Sequence, residues 1–145
     1  MTDTMNELSL TTSRHINAPA KAIYNAWLDP EMLMKFMTPG EGVTVPRSKT
    51  DPKVGGGFEI IMLTPDNNEL PHTGTYKALD PHSRIVFTWQ SNYSPDDSEV
   101  TLDFVEKNGG TDVTLTHVKF LNEEARDNHE KGWGLILQTL ENALK

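Results

Sequence analysis

The chain has 145 residues, a formal net charge of −8 from 21 acidic against 13 basic side chains, 36% hydrophobic residues and no cysteine. That length fits one domain, residues 1–145, which can bury roughly 68–70% of its unfolded-chain surface without metal or disulfide staples. The acidic balance opposes nucleic-acid binding, which needs Lys and Arg at the phosphates, and the missing thiols exclude disulfides, thiolate nucleophiles and thiolate zinc sites.

The opening MTDTMNELSL lacks the basic and apolar regions of a signal peptide. No apolar run approaches the roughly eighteen residues needed to span a bilayer. Both point to a cytoplasmic protein with no membrane partner. A glycosylation sequon, NYS at 92–94, has no meaning without export.

In chain order, ELSLTTSRHIN (7–17) places Leu8, Leu10, Thr12, Arg14 and Ile16 on one parity and predicts a partly apolar strand. A helix follows, opened by Pro19 and carrying Ala20, Ile23, Tyr24, Trp27 and Leu28 at helical spacing. Asp29 and Pro30 end it and start a second, short helix as N-cap and first residue. That helix carries Met32, Leu33, Met34, Phe36 and Met37 up to Pro39-Gly40.

VTVPRSKT (43–50) reads as an edge strand, because Pro46 cannot donate to a ladder. VGGG is a tight turn into FEIIMLT (58–64). A loop at 65–71 leads to a strand at 72–79, and Asp80-Pro81 turns the chain into RIVFTWQ (84–90). After SPDDS come strands at 99–106 and 111–120, joined by the hairpin turn Asn108-Gly109-Gly110. The last helix starts at Asn122, with Glu123 and Glu124 favoured by the helix dipole. Its stripe is Trp133, Ile136, Leu137, Leu140 and Leu144, one face. Gly132 and Gly134 flank Trp133, each costing about 1 kcal/mol in a helix. They imply a close approach to the sheet, a bend, or an interruption of the helix.

Six or seven antiparallel strands with one long helix to cover them predict an α+β fold with a cavity between helix and sheet. Candidate lining residues are Trp27, Met34 and Phe36 from the first two helices. The strands contribute Phe58, Ile60, Met62, Tyr76, Phe87, Trp89, Leu102, Leu115 and His117. The last helix adds Trp133, Ile136, Leu137 and Leu140. Each of these also reads simply as core. Methionines suit a pocket that accepts several shapes.

Little in the sequence carries chemistry. The five histidines lack zinc-ligand spacing, and His129-Glu130 does not continue into HExxH because position 133 is Trp. VGGGFE lacks the Lys-Ser/Thr of a phosphate loop, and the acidic loops do not match an EF-hand. No metal or cofactor is expected and no catalytic residue is assigned. His117, on the parity of Val113 and Leu115, reads either as a general acid or base for a bound ligand or as a hydrogen-bonded residue at a strand end. Arg14 reads as a partner for a ligand carboxylate or for a nearby acidic side chain.

The segments RHINAPAKAIYNAWLDPEMLMKFMTP (14–39), VGGGFE (54–59), GTYKALDPHSRIVFTW (74–89), VTLDFVEKNGGTDVTLTH (100–117) and HEKGWGLILQTLENAL (129–144) resemble, in order, the helix-grip superfamily, also called START-like or SRPBCC. Within it the chain is most similar to the AHSA-type branch, named after the activator of the heat-shock chaperone ATPase. The resemblance implies a curved sheet around a long C-terminal helix and binding of a small hydrophobic or aromatic ligand. It also implies two alternatives: a stress-related chaperone partner, or a cyclase- or aromatase-like enzyme using the same cavity. The chain is expected to be a monomer or homodimer. One departure stands out: Phe36-Met37 occupies the place of a common Trp pair, which implies a wider or softer pocket mouth.

Overall fold

In the computed structural model the described residues are 8–92, 94, 95 and 97–144. The N-terminal stretch without signal-peptide character, Glu7 at the start of the expected first strand, Tyr93 of the sequon and Asp96 of the acidic turn lie outside them.

The elements are β1 (Ser9–Ile16), α1 (Ala20–Leu28), α2 (Pro30–Phe36), β2 (Thr44–Thr50), β3 (Gly57–Leu63), β4 (Glu69–Asp80), β5 (Arg84–Thr88), β6 (Glu99–Lys107), β7 (Gly110–Val118) and α3 (Glu123–Ala143). The seven strands form one curled antiparallel sheet in the order β1-β7-β6-β5-β4-β3-β2, and α3 lies against it. The order follows from the hairpins. Successive strands from β2 to β7 pair as antiparallel neighbours, and β1 closes on β7 because the two helices between β1 and β2 carry the chain to the far edge.

Register puts the apolar parity of each strand on one face. Phe104 opposes Val113, Leu102 opposes Leu115, and Val100 opposes His117. Across the next seams Ile85 opposes Leu102, Phe87 opposes Val100, and Tyr76 opposes Phe87. All are buried, and Trp133, Ile136, Leu137 and Leu140 of α3 are buried with them in the core. Seven strands offer an apolar face that one helix stripe covers only in part. Trp27 and Leu33 of α1 and α2 complete the cover at the other end.

Local rules hold at most boundaries. The Asp29 side chain accepts from the Glu31 N–H at 2.9 Å, and that of Asn122 accepts from the Ala125 N–H at 2.8 Å. Asn108 and Gly109 both have positive φ, 52° and 78°, as a tight hairpin requires. β2 is an edge strand, with its register shift between Thr44 and Arg47, around Pro46.

Several boundaries differ by a residue or more from the sequence reading, and three of the differences have a clear cause. β4 begins at Glu69 rather than His72, because Glu69, Leu70 and Pro71 pair with Leu63, Met62 and Ile61 of β3. Pro71 is tolerated because β5 pairs only with Tyr76–Asp80, so no ladder needs its missing N–H on that side. β5 ends at Thr88, and Gln90 joins β4 only through a bridge to Thr73. β7 ends at Val118, because Lys119 takes φ 73° and turns the chain toward α3.

α3 is helical throughout, across both glycines. A Cβ built at Gly132 would lie 3.1 Å from Pro39 Cβ, whereas one at Gly134 meets nothing within 4 Å. Gly132 therefore permits a close approach, to the segment after α2 rather than to the sheet. Gly134 has no such reason.

Candidate functional site

The N-terminal half of α3 does not close fully onto the sheet. Between them lies a partly open cleft of about 620 Å³. Its sheet wall is Met62 of β3, Leu70 and His72 of β4, and Trp89 just after β5. Its helix wall is Ala125, His129, Gly132, Trp133 and Ile136. The spacing 125, 129, 132/133, 136 is one helical face, so the stripe that forms the core farther along lines the cleft here. Leu121, Asn122, Glu124 and Asn128 are exposed and form the mouth.

Behind the cleft lies a chain of buried polar groups. Trp133 is 2% exposed, and its indole Nε1–H donates to Nδ1 of His117 at 3.0 Å. His117 Nε2 is 2.5 Å from Ser98 Oγ. An indole nitrogen only donates, so Nδ1 must accept. His117 is therefore the neutral Nε2–H tautomer and donates to Ser98. A histidine in that state cannot take the Ser98 proton, so the pair is not a nucleophile–base dyad. Burial, reinforced by nearby His129, holds the His117 pKa down at about 3, which keeps the ring neutral.

His129 is oriented in turn. Its Nδ1 is 2.7 Å from the Ala125 carbonyl oxygen one helical turn back, which makes Nδ1 the donor. Nε2 is left as an acceptor, 3.5 Å from Ser94 Oγ. The His117 and His129 rings meet edge to face at 5.2 Å, and Phe120 packs on both. Burial lowers the His129 pKa despite the Ala125 bond. On the sheet wall, His72 lies on Trp89 with ring centroids 4.9 Å apart. Burial first, and His129 second, depress the His72 pKa to about 4. The Leu70 and Ile60 backbones pull the other way, but His72 Nδ1 makes no hydrogen bond of good geometry. The cleft is thus bordered by imidazoles that are neutral at pH 7.

The family described as "Activator of Hsp90 ATPase homolog 1-like protein" matches residues 17–145. The chain belongs to that family. Among solved structures, a Chromobacterium violaceum protein is 26% identical, with TM-score 0.83, over 93% of this chain and 95% of its own. An AHSA1-like protein from Aeromonas hydrophila is 24% identical, with TM-score 0.81, over 93% and 90%. A protein from Nitrosomonas europaea is 22% identical, with TM-score 0.80, over 94% of each chain. The latter two likenesses bear on fold alone. A comparison with curated proteins gives no match.

In this AHSA1-like chain the residues singled out from sequence divide into groups. Met62, Trp89, Trp133 and Ile136 line the cleft. Trp27, Phe58, Ile60, Tyr76 and Phe87, with the other side of Trp89, surround a separate void of about 10 Å³. Phe36, Leu102, Leu115, Leu137 and Leu140 are packed core outside both spaces. His117 is 0% exposed and walled off behind Trp133.

Met34 is 39% exposed and lies at neither space, because α2 turns Leu33 and Phe36 inward instead. Phe36-Met37 does not form the cleft mouth. Phe36 packs on Trp27 at 5.0 Å, and both residues of the pair are buried. Arg14 meets Glu141 of α3 at 2.7 Å.

The sequence reading missed Leu70, His72, Ala125, His129 and Gly132. Two signals point to the histidines: His129 is one helical turn before Trp133, and His72 shares parity with Tyr76. Among the described residues no group of three or more His, Asp or Glu is placed to hold a metal ion, and no helix is long and apolar enough to cross a membrane.

Proposed function

We propose that this AHSA1-like chain binds a small, mainly apolar molecule in the cleft between α3 and the β3–β4 end of the sheet. The observation that carries the reading is the cleft itself. At about 620 Å³ it falls in the range of small-molecule sites, and aromatic and aliphatic side chains dominate its inner walls. The test is a thermal-shift screen of uncharged aromatic and lipid-like compounds. It is run beside Ala125→Trp, which places an indole in the cleft. Binding predicts stabilisation of the natural chain that is lost in the variant. No shift across the panel would overturn the reading.

An enzymatic use of the cleft finds less support. His117, Tyr76 and Arg14, the polar groups such chemistry would recruit, do not converge: none of them lines the cleft. A chaperone partner is supported by the family description alone, and enrichment of a chaperone ATPase in a pull-down is its test.

A further inference from the structure

Two half-buried polar side chains line the cleft inside its exposed mouth: Ser91, after β5, and His129 of α3. Hydrogen bonds join them through Ser94. Ser91 Oγ donates to Ser94 Oγ at 3.4 Å, and Ser94 Oγ lies 3.5 Å from His129 Nε2.

The order of protons along this chain is set from its helix end. A carbonyl can only accept, and burial keeps the His129 ring neutral. Its single N–H is therefore committed to the Ala125 carbonyl oxygen, 2.7 Å from Nδ1. Nε2 holds a lone pair, so Ser94 donates to Nε2 and accepts from Ser91. Whether a ligand meets His129 Nε2 or Ser91 Oγ, it meets an acceptor. Both contacts to Ser94 are also longer than the roughly 2.5–3.0 Å of a good O–H···O bond, so a ligand donor can improve on them.

Charge narrows that donor. The described lining residues include no Lys or Arg, and their one carboxylate, Glu124, is exposed at the mouth. An ammonium seated deeper would lose its hydration without a counter-ion, and so would an anion. The rest of the inner lining, including Met62, Leu70, Trp133 and Ile136, suits an apolar body.

We propose that the cleft selects an uncharged, apolar molecule bearing a hydroxyl group, which donates its proton at the corner formed by Ser91 and His129. This rests on the ligand-binding reading above.

The test uses three probes on one ring system: naphthalene, 2-methoxynaphthalene and 2-naphthol, titrated by calorimetry at neutral pH. The ether oxygen can accept but not donate, so it separates a need for a donor from a tolerance of polarity. The naphthol is expected to bind about tenfold more tightly than either other probe. His129→Leu removes the acceptor and the proton order it imposes. In that variant the naphthol is expected to fall to the affinity of the ether, with naphthalene unchanged. A second measurement needs no variant: imidazole nitrogen correlations of the natural protein are expected to show His129 as the Nδ1–H tautomer.

Equal binding of naphthol and ether, a naphthol advantage that survives in folded His129→Leu, or an Nε2–H tautomer of His129 overturns this inference and leaves the ligand-binding reading standing. Failure of all three probes to bind overturns it too. If the wider thermal-shift panel is also silent, the binding reading falls with it.

Discussion

Acidification is expected to destabilise this fold before most carboxylates titrate. An unfolded histidine ionises near 6.5, whereas burial holds His117 at about 3 and His72 at about 4 in the folded chain. Both folded values are depressed. The unfolded chain therefore takes up protons first as pH falls, and stability is lost from about 6.5 downward. Each ring costs about 1.4 kcal/mol per pH unit in that window, so about 2 kcal/mol by pH 5 and about 4 kcal/mol for the two. His129, also lowered by burial, adds in the same direction.

The assay is urea unfolding followed by tryptophan fluorescence, in steps from about pH 7.5 to about pH 5. The slope between about pH 6 and pH 5 should correspond to at least two protons. His117→Gln, which retains a donor and an acceptor, should reduce it by one. A flat profile, or a slope unchanged in the variant, would refute the claim that His117 is buried as the neutral ring.

Trp133→Phe removes the donor to His117 Nδ1 and leaves a buried acceptor unpaired beside a smaller ring. The expected loss is about 2–4 kcal/mol by chemical denaturation, and a loss below about 0.5 kcal/mol would contradict the bond. Gly134→Ala meets nothing within 4 Å and should stabilise α3 by about 0.5–1 kcal/mol. Gly132→Ala, pressed against Pro39 at 3.1 Å, should gain less, and equal gains in melting temperature would deny the close approach. Asn122→Ala should cost about 1 kcal/mol through the lost cap of α3, read as an earlier unfolding midpoint.

The elements were legible because β5, β6 and β7 alternate cleanly and α2 and α3 carry side-chain caps at Asp29 and Asn122. Val100, Leu102 and Phe104 could face only one way, and Asp29-Pro30 could only separate two helices. The site was less legible. Parity tells which face a side chain is on but not where along that face the helix lifts from the sheet. The seams of Leu102 and Leu115 and the helix turn of Leu140 lie where α3 seals the core. Met62, Trp89 and Ile136 lie where it does not, and their residue types carry no mark of the difference. His117 looked like a cavity residue on parity, but the orientation of the Trp133 ring removes it from the cleft. Cross-strand pairing hid His72, since its strand began three residues earlier than the Pro71 break implied.

The most direct test of the proposed binding site is an amide NMR titration with 2-naphthol, compared between the natural chain and Ala125→Trp. The expected result is a saturable shift centred on the amides of His129 and Gly132, absent in the variant. No saturable shift would contradict cleft binding, as would one centred on outward positions such as Val54 and Val105 or one that survives in Ala125→Trp.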